Sequence, residues 1–252
     1  MLFNFYGGIF MDLNERIKKY WNERSNEFCD LRMSELSSNK KELWFQEIKR
    51  NIDNINDSKF NILDIGTGTG FFSIILSSLG HNVTGIDLSE NMINNANKTA
   101  RLLGYDIDFR VMDAQNLDFE DNTFDIIITR NLTWTLPNVC EAYKEWHRVL
   151  KENGKLINFD ADYGKVSFED ESSQLDSEHA HNKISSKVLR ECDDIKGSLD
   201  ISKKRRPNWD VNILDNIGFT NCDIDTNVSN RIYSENDEFC NPTQMFSICA
   251  IK

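Results

Sequence analysis

The sequence predicts an α/β chain built on a doubly wound, mostly parallel sheet, and three observations carry that prediction. Short apolar runs recur and close on acids: Phe60 to Ile65 with Asp64 inside it, His81 to Ile86 followed by Asp87, and Ile107 to Met112 followed by Asp113. Runs that are apolar throughout, rather than alternating, fit strands buried on both faces. Stretches of helical spacing separate them, the rhythm in which crossover helices cover a parallel sheet. Between the first run and the helical pattern Phe71, Ile74, Ile75, Leu79, the segment FNILDIGTGTGF carries Gly66, Gly68 and Gly70. A strand, a glycine turn and a helix N-terminus in that order make a ligand-binding corner, because a backbone without Cβ atoms turns tightly and lets a ligand approach.

Taken in order, residues 1–11 are expected to be a disordered or non-native leader: either an ordinary flexible tail from Met1, or a translated ribosome-binding site over Gly7 to Phe10 with Met11 as the natural start. Residues 12–57 form a helical lid. Its first helix has Leu13, Ile17, Tyr20, Trp21, Arg24 and Phe28 in register; its second, about 41–55, has Leu43, Trp44, Ile48 and Ile52 on one face and reads as purely structural. Residues 58–162 are the core, with strands at 60–65, 82–87, 107–112, 124–129 and 155–159. Ser89 caps the second crossover helix, Gly104 stops it, and 151–154 is a turn. Residues 163–207 break the rhythm: they are polar, with weak helical spacing at Ile184, Val188, Leu189 and Ile195, and read as a cap inserted over the C-terminal edge of the sheet, where open α/β proteins bind ligands. Residues 208–252 complete the core with a helix from Pro207 to Ile217 stopped by Gly218, a strand at 220–226 and a last strand at 243–251.

Composition bounds the partners. A chain of 252 residues that is 39% hydrophobic with 16 Phe can bury a sizeable single core. The net charge of −12 argues against a nucleic-acid backbone as partner and favours a small molecule. Lys203, Lys204, Arg205 and Arg206 interrupt that balance and read as a solvated turn or a local anion contact. The six cysteines are scattered, without a C-x-x-C pair, and read as reduced in a cytoplasmic protein. No apolar run approaches the ~20 residues of a membrane span, and MLFNFYGGIF lacks a signal peptide's basic start.

The spacing narrows the ligand. A dinucleotide fingerprint, G-x-G-x-x-G, would put its third glycine where Phe71 stands; here it comes one residue early, at Gly70. Asp87, about 20 residues on, can accept both hydroxyls of a ribose, and Asp113 is a second acid at the next strand end. Together these features resemble the class I S-adenosylmethionine-dependent methyltransferases of small-molecule type, over residues 60 to 160. Asp125 matches that family's F-D-x-I/V motif; HRVLKENGKLINFD is similar to its R-x-L-K-x-G-G-x-L segment, with Asn153 for the first glycine; YWNERSNEF is similar to its Tyr-Trp-x-x-Arg-x-x-x-aromatic helix.

The resemblance implies a Rossmann-like methyltransferase fold of seven strands with the last antiparallel, S-adenosylmethionine as cofactor and S-adenosylhomocysteine as product; the enzyme is expected to be bacterial and cytoplasmic, and a monomer or homodimer. It implies that Gly66, Thr67, Gly68 and Gly70 pass under the methionine part with Asp64 fixing the loop. Asp87 and Leu88 would meet the ribose, Asp113 and Ala114 the adenine, backbone at Arg130 and Asn131 the amino group, and Tyr20 and Arg24 the carboxylate, with Met92 completing the set.

For the acceptor, Asp160, Asp162 and Tyr163 are the catalytic candidates, and Trp21, Phe28, Trp134, Arg206 and Trp209 the pocket walls. Acids around the mouth would favour a neutral or cationic acceptor, with Arg205 and Arg206 opposing locally. No metal is expected: His179 and His181 with Cys192 suggest one, but histidines at i, i+2 do not share a helix face. Two rival readings remain at this level: a nicotinamide-dependent oxidoreductase, disfavoured by the early third glycine, and a non-catalytic S-adenosylmethionine-binding protein.

Overall fold

Seven strands join in one sheet: β1 (Asn61–Ile65), β2 (Asn82–Asp87), β3 (Asp108–Val111), β4 (Phe124–Arg130), β5 (Leu150–Ala161), β6 (Thr220–Asp225) and β7 (Met245–Ile251). Their order is β3-β2-β1-β4-β5-β7-β6, parallel except for β7, which runs antiparallel between β5 and β6. The expected sheet and its antiparallel last strand are therefore present. In this computed structural model residues 4–6, 9–172, 184–233 and 237–252 are described, so His179 and His181 lie outside the described residues.

The helices are α1 (Leu13–Ser37), α2 (Lys40–Asn51), α3 (Phe71–Ser78), α4 (Glu90–Leu102), α5 (Val139–Val149), α6 (Phe168–Ser172), α7 (Ser186–Gly197), α8 (Asn208–Ile217) and α9 (Val228–Ile232). β1 and β4 carry the middle of the core: Ile62, Leu63, Ile65, Ile126, Ile127 and Ile128 are buried between the helical layers. Local chemistry ends the elements as expected at two points. Ser89 accepts from the Met92 N–H as the cap of α4, and Gly218 at φ +118° closes α8 with its N–H on the Leu214 and Asp215 carbonyls.

Three regions differ from the expectations. The leader was expected to lack order, whereas Asn4–Tyr6 and Ile9–Met11 pair as a separate antiparallel hairpin. The turn expected at 151–154 is taken up inside β5: Phe124 pairs with Leu150 and Ile126 with Lys155, a bulge absorbed by Asn153 at φ +63° and by Gly154, where a Cβ would lie 2.7 Å from the Lys151 carbonyl oxygen. α1 also runs nine residues beyond Phe28, to Ser37. That extension carries Glu35, fully buried against Trp44 Nε1 at 3.0 Å and Arg130 Nη2 at 2.9 Å.

α1 is fastened along its length. Asn22 accepts from Ser89 Oγ (2.7 Å) and from the Asn91 N–H (3.1 Å) at the start of α4. Arg16 meets Glu191 of α7 through two bonds, Nε at 2.7 Å and Nη2 at 3.0 Å, and Glu35 ties the far end to β4. The helix thus bridges sheet, crossover layer and cap.

Candidate functional site

The strand order reverses between β1 and β4, and at this switch point the crossovers leave the sheet on opposite sides and open a crevice beyond the strand ends. A cavity of about 540 Å³ fills that crevice beneath α1. Asp64, Gly66, Thr67, Gly68, Asp87, Leu88, Met92, Asp113, Ala114, Arg130 and Asn131 line it, as do Tyr20, Trp21, Arg24, Phe28, Trp134 and Tyr163, so most of the residues singled out from the sequence converge on one space.

The glycine turn is held from beneath. Asp64 Oδ2 accepts from Thr67 Oγ1 (2.6 Å), the Ser73 N–H (3.0 Å) and Ser73 Oγ (2.7 Å), which locks the end of β1 to the first turn of α3. Burial pushes its carboxyl above the ordinary aspartate value against these stabilising bonds. Gly66, Gly68 and Gly70 sit at φ +68°, +55° and +88°. At Gly66 a Cβ would come 2.8 Å from Leu132, so the turn tolerates a side chain neither conformationally nor sterically. Gly70 serves that turn and caps α3 without lining the cavity.

Asp87 crosses to the same turn. Its Oδ2 accepts from the Gly68 N–H at 3.0 Å and its Oδ1 from the Ser89 N–H at 2.8 Å. Burial raises its carboxyl to about 6, with the two amide bonds pulling the other way. Each carboxylate oxygen keeps a further acceptor site. One strand along, Asp113 Oδ1 accepts from the Gln115 N–H at 2.9 Å beside Ala114. Asn131, at φ +55°, spends its N–H on the Phe159 carbonyl.

Arg130 contributes differently from the expected backbone contact. Its guanidinium lies over Trp44 (4.2 Å to the ring centre) and Phe71 (5.0 Å), paired to Glu35 and donating to Tyr233 Oη at 3.2 Å. Arg32 pairs with the same Glu35 and lies over Phe28. The two guanidinium groups hold the Glu35 carboxyl below its ordinary value although burial opposes this, and burial together with Arg130 lowers Arg32. Nothing in the sequence flagged Glu35 or Tyr233. The helical register Phe28, Leu31, Glu35 was the one available signal, and it puts a charge where an apolar residue is expected.

Four residues expected on the acceptor side lie away from the cavity. Arg206 is 8% exposed and closes an internal network: its Nη1 donates to Asp160 Oδ2 (3.0 Å), its Nη2 to Thr133 Oγ1 (2.6 Å) and Asp210 Oδ1 (2.9 Å). Asp160 is consumed in that network, also accepting from Thr133 Oγ1 and from the Trp134 N–H at 3.2 Å. Arg206 and Asp160 are therefore tied to each other, and Arg206 to Asp210, in the core instead of facing an acceptor. Asp162 pairs with Lys165, and Trp209 lies under the Lys204 ammonium.

The walls that replace them come from the cap. Ile184, Leu189 and Cys192 line the cavity with Phe168, and Trp134, Tyr163 and Phe168 pack as an aromatic trio with ring centres 4.9 to 5.5 Å apart. Tyr163 Oη donates to Asn131 Oδ1 at 3.0 Å and accepts from Asn241 Nδ2 at 2.6 Å. Burial raises its hydroxyl well above the ordinary tyrosine value, so it is held as a protonated anchor rather than a base. Among the described residues no cluster of three or more His, Cys, Asp or Glu is arranged to hold a metal, and no helix is long and apolar enough to cross a membrane.

Comparisons with known proteins agree with this geometry. Residues 63–158 match the sequence profile of the methyltransferase domain family. The ubiquinone/menaquinone biosynthesis C-methyltransferase UbiE of Rickettsia felis is 34% identical over 134 residues, 50% of this chain and 53% of that protein. A phosphatidylethanolamine N-methyltransferase of Cereibacter sphaeroides is 32% identical over 111 residues, 43% of this chain and 54% of that protein. The chain spans about half the length of these curated relatives. Among solved structures, phosphoethanolamine N-methyltransferase 2 of Haemonchus contortus in complex with S-adenosyl-L-methionine superposes with a TM-score of 0.62 at 16% identity, covering 98% of this chain and 61% of that one. The PH0226 protein of Pyrococcus horikoshii superposes with a TM-score of 0.55 at 21% identity, covering 87% and 91%. At these identities the structural likeness speaks for the fold.

Proposed function

We propose, from the premise that through residues 63–158 the chain belongs to the class I S-adenosylmethionine-dependent methyltransferases, that this protein transfers the methyl group of S-adenosylmethionine to a small-molecule acceptor. The observation that carries the proposal is the convergence of the glycine turn, Asp87 and Asp113 on one cavity whose other half is walled by side chains of the cap.

The residues present suit that cofactor. Gly66 and Gly68 supply a surface with no side chain in the way. Asp87, with one acceptor site left on each oxygen, takes the two ribose hydroxyls, and Asp113 takes the adenine amino group. Tyr20 and Arg24, linked at 3.3 Å on the underside of α1, attend the methionine carboxylate. The cofactor supplies a methyl already activated on a sulfonium, so the protein contributes position and dryness more than acid or base. α1 excludes water from above the turn: Phe28 lies 3.2 Å from where a Gly68 Cβ would be. Tyr163, fixed by Asn131 and Asn241, orients a polar atom of the acceptor next to the reacting centre. The relatives are named for C- and N-methylation, so the choice of acceptor atom rests with this chain's own cap. The catalytic unit is one chain or a homodimer, working in the cytoplasm.

The test is production of S-adenosylhomocysteine from S-adenosylmethionine with a panel of small-molecule acceptors, followed by mass spectrometry of the product. Acceptor-dependent release supports the proposal. Binding of S-adenosylmethionine without transfer to any acceptor would favour a non-catalytic binding protein.

A further inference from the structure

The cavity has two chemically different halves. Carboxylates converge on the half beneath the glycine turn, through Asp64, Asp87 and Asp113. The opposite half is walled by Trp134, Tyr163, Phe168, Ile184, Leu189 and Cys192, and among the described lining residues neither the segment 131–137 nor the cap contributes a charged side chain. The charges that the sequence suggested for this wall are turned away from it: Arg206 and Asp160 satisfy each other in the core, and Asp162 pairs with Lys165.

We propose that the acceptor half takes a neutral, mainly apolar, ring-bearing molecule with one hydrogen-bonding group that meets Tyr163; this rests on the methyl-transfer reading and names its acceptor class. Two observations weigh against ionic acceptors. An aromatic trio is a plausible seat for an ammonium, but the Lys196 ammonium already lies 4.3 Å from the centre of the Phe168 ring, held by the Val166 carbonyl and by Asp193 at 2.7 Å. The Phe168 ring thus already serves a cation of the protein's own. The guanidinium groups in the lining belong to α1 and β4 rather than to this wall, Arg24 beside Glu27 at 3.4 Å and Arg32 and Arg130 sharing Glu35, so an anion seated on the wall has no cation within it. An ion drawn out of water against Trp134, Tyr163, Phe168, Ile184, Leu189 and Cys192 meets no charged side chain among them, and that desolvation is uncompensated.

A ring system loses nothing there. Its faces pack on Trp134 and Phe168, and its edge on Ile184 and Leu189, with the favourable burial of apolar surface. Beside the Trp134 Nε1–H, which is buried without a hydrogen-bond partner among the described residues, Tyr163 offers a polar contact. The Tyr163 hydroxyl donates to Asn131 and accepts from Asn241, which leaves it one acceptor site for an O–H or N–H on the molecule.

The experiment uses three phenols that share a head group and differ in tail charge: para-propylphenol, para-hydroxyphenylpropanoate and tyramine. Each is titrated by calorimetry into the full chain saturated with S-adenosylhomocysteine. The expected result is para-propylphenol binding at least about tenfold more tightly than either ion, the scale on which uncompensated desolvation of a charge acts. Ile184→Lys, at a partly buried position of the cap, should weaken para-propylphenol and strengthen para-hydroxyphenylpropanoate while leaving S-adenosylhomocysteine affinity within about twofold. Equal or tighter binding of either charged phenol overturns the proposal, as does absence of para-propylphenol binding up to its solubility. Failure of S-adenosylhomocysteine itself to bind is a different outcome, which overturns the methyl-transfer reading and the proposal together.

Discussion

Replacing Asp87 by alanine removes the carboxylate that joins the end of β2 to the glycine turn. In the ligand-free protein its two oxygens accept from the Gly68 and Ser89 amides at 3.0 and 2.8 Å, leaving one acceptor site on each for a ribose hydroxyl. Hydrogen bonds to a charged group contribute about 1.5 kcal/mol or more each. Two of them amount to ~3 kcal/mol, or a loss of about 150-fold in affinity, with tenfold as the floor if the loop partly compensates. The fold should survive. Two orphaned amides cost about 1 kcal/mol each, and relief from burying the charge offsets part of that. The assay is a calorimetric titration with S-adenosylhomocysteine at neutral pH, with thermal unfolding as the control for folding. A folded Asp87→Ala variant that binds within about threefold of the parent would refute the ribose assignment.

Further expectations concern pH and the buried ion networks. Since burial raises the Asp87 carboxyl to about 6, cofactor affinity should be flat above neutrality and fall about tenfold between pH 7 and pH 5 as the acceptor oxygens protonate; a level profile in titrations at those two values would contradict it. The sign for stability is the reverse. A carboxyl raised in the folded state contributes most below its unfolded value near 3.8 and loses that contribution as pH rises through about 6, so the ligand-free protein gains from Asp87 in the range where binding weakens. Arg206→Met leaves Asp160 and Asp210 buried and unpaired and should destabilise by about 3–5 kcal/mol in urea unfolding; a loss under about 1 kcal/mol would mean that the network is solvated. Glu35→Gln leaves Arg32 and Arg130 buried with a neutral partner and should release the last turns of α1, read as faster amide exchange at residues 32–37 than at 13–25. Equal protection in the two segments would show that the anchor lies elsewhere.

The sheet was legible because its signals are local. Apolar runs ending in acids, a glycine turn, a serine cap and a glycine stop each write one element boundary, and six of the seven strands fall within two residues of their expected limits. β5 is the exception: its first half is held by Phe124 pairing with Leu150 across a bulge, a long-range event that a KENG turn pattern conceals. The convergence of the glycine turn, Asp87 and Asp113 on one cavity was legible for the same local reason. The opposite wall was not. Asp160, Arg206 and Trp209 stand at suggestive positions, but a charge that finds a buried partner 46 residues away is indistinguishable in sequence from one that faces a ligand. Glu35 escaped for the converse reason, because its partners Arg130 and Trp44 come from separate elements. The apolar wall from Ile184, Leu189 and Cys192 is visible only as weak helical spacing, and becomes a wall when α7 is held against α1 by Arg16 and Glu191.

Calorimetric titration of the wild-type protein with S-adenosylhomocysteine and, separately, with oxidised nicotinamide dinucleotide tests the central claim most directly. The geometry of the glycine turn, Asp87 and Asp113 predicts one-to-one binding of S-adenosylhomocysteine with a dissociation constant of about 1 μM to a few tens of μM, and no heat from the dinucleotide. Tighter binding of the dinucleotide, or no binding of S-adenosylhomocysteine at about 1 mM, would contradict it.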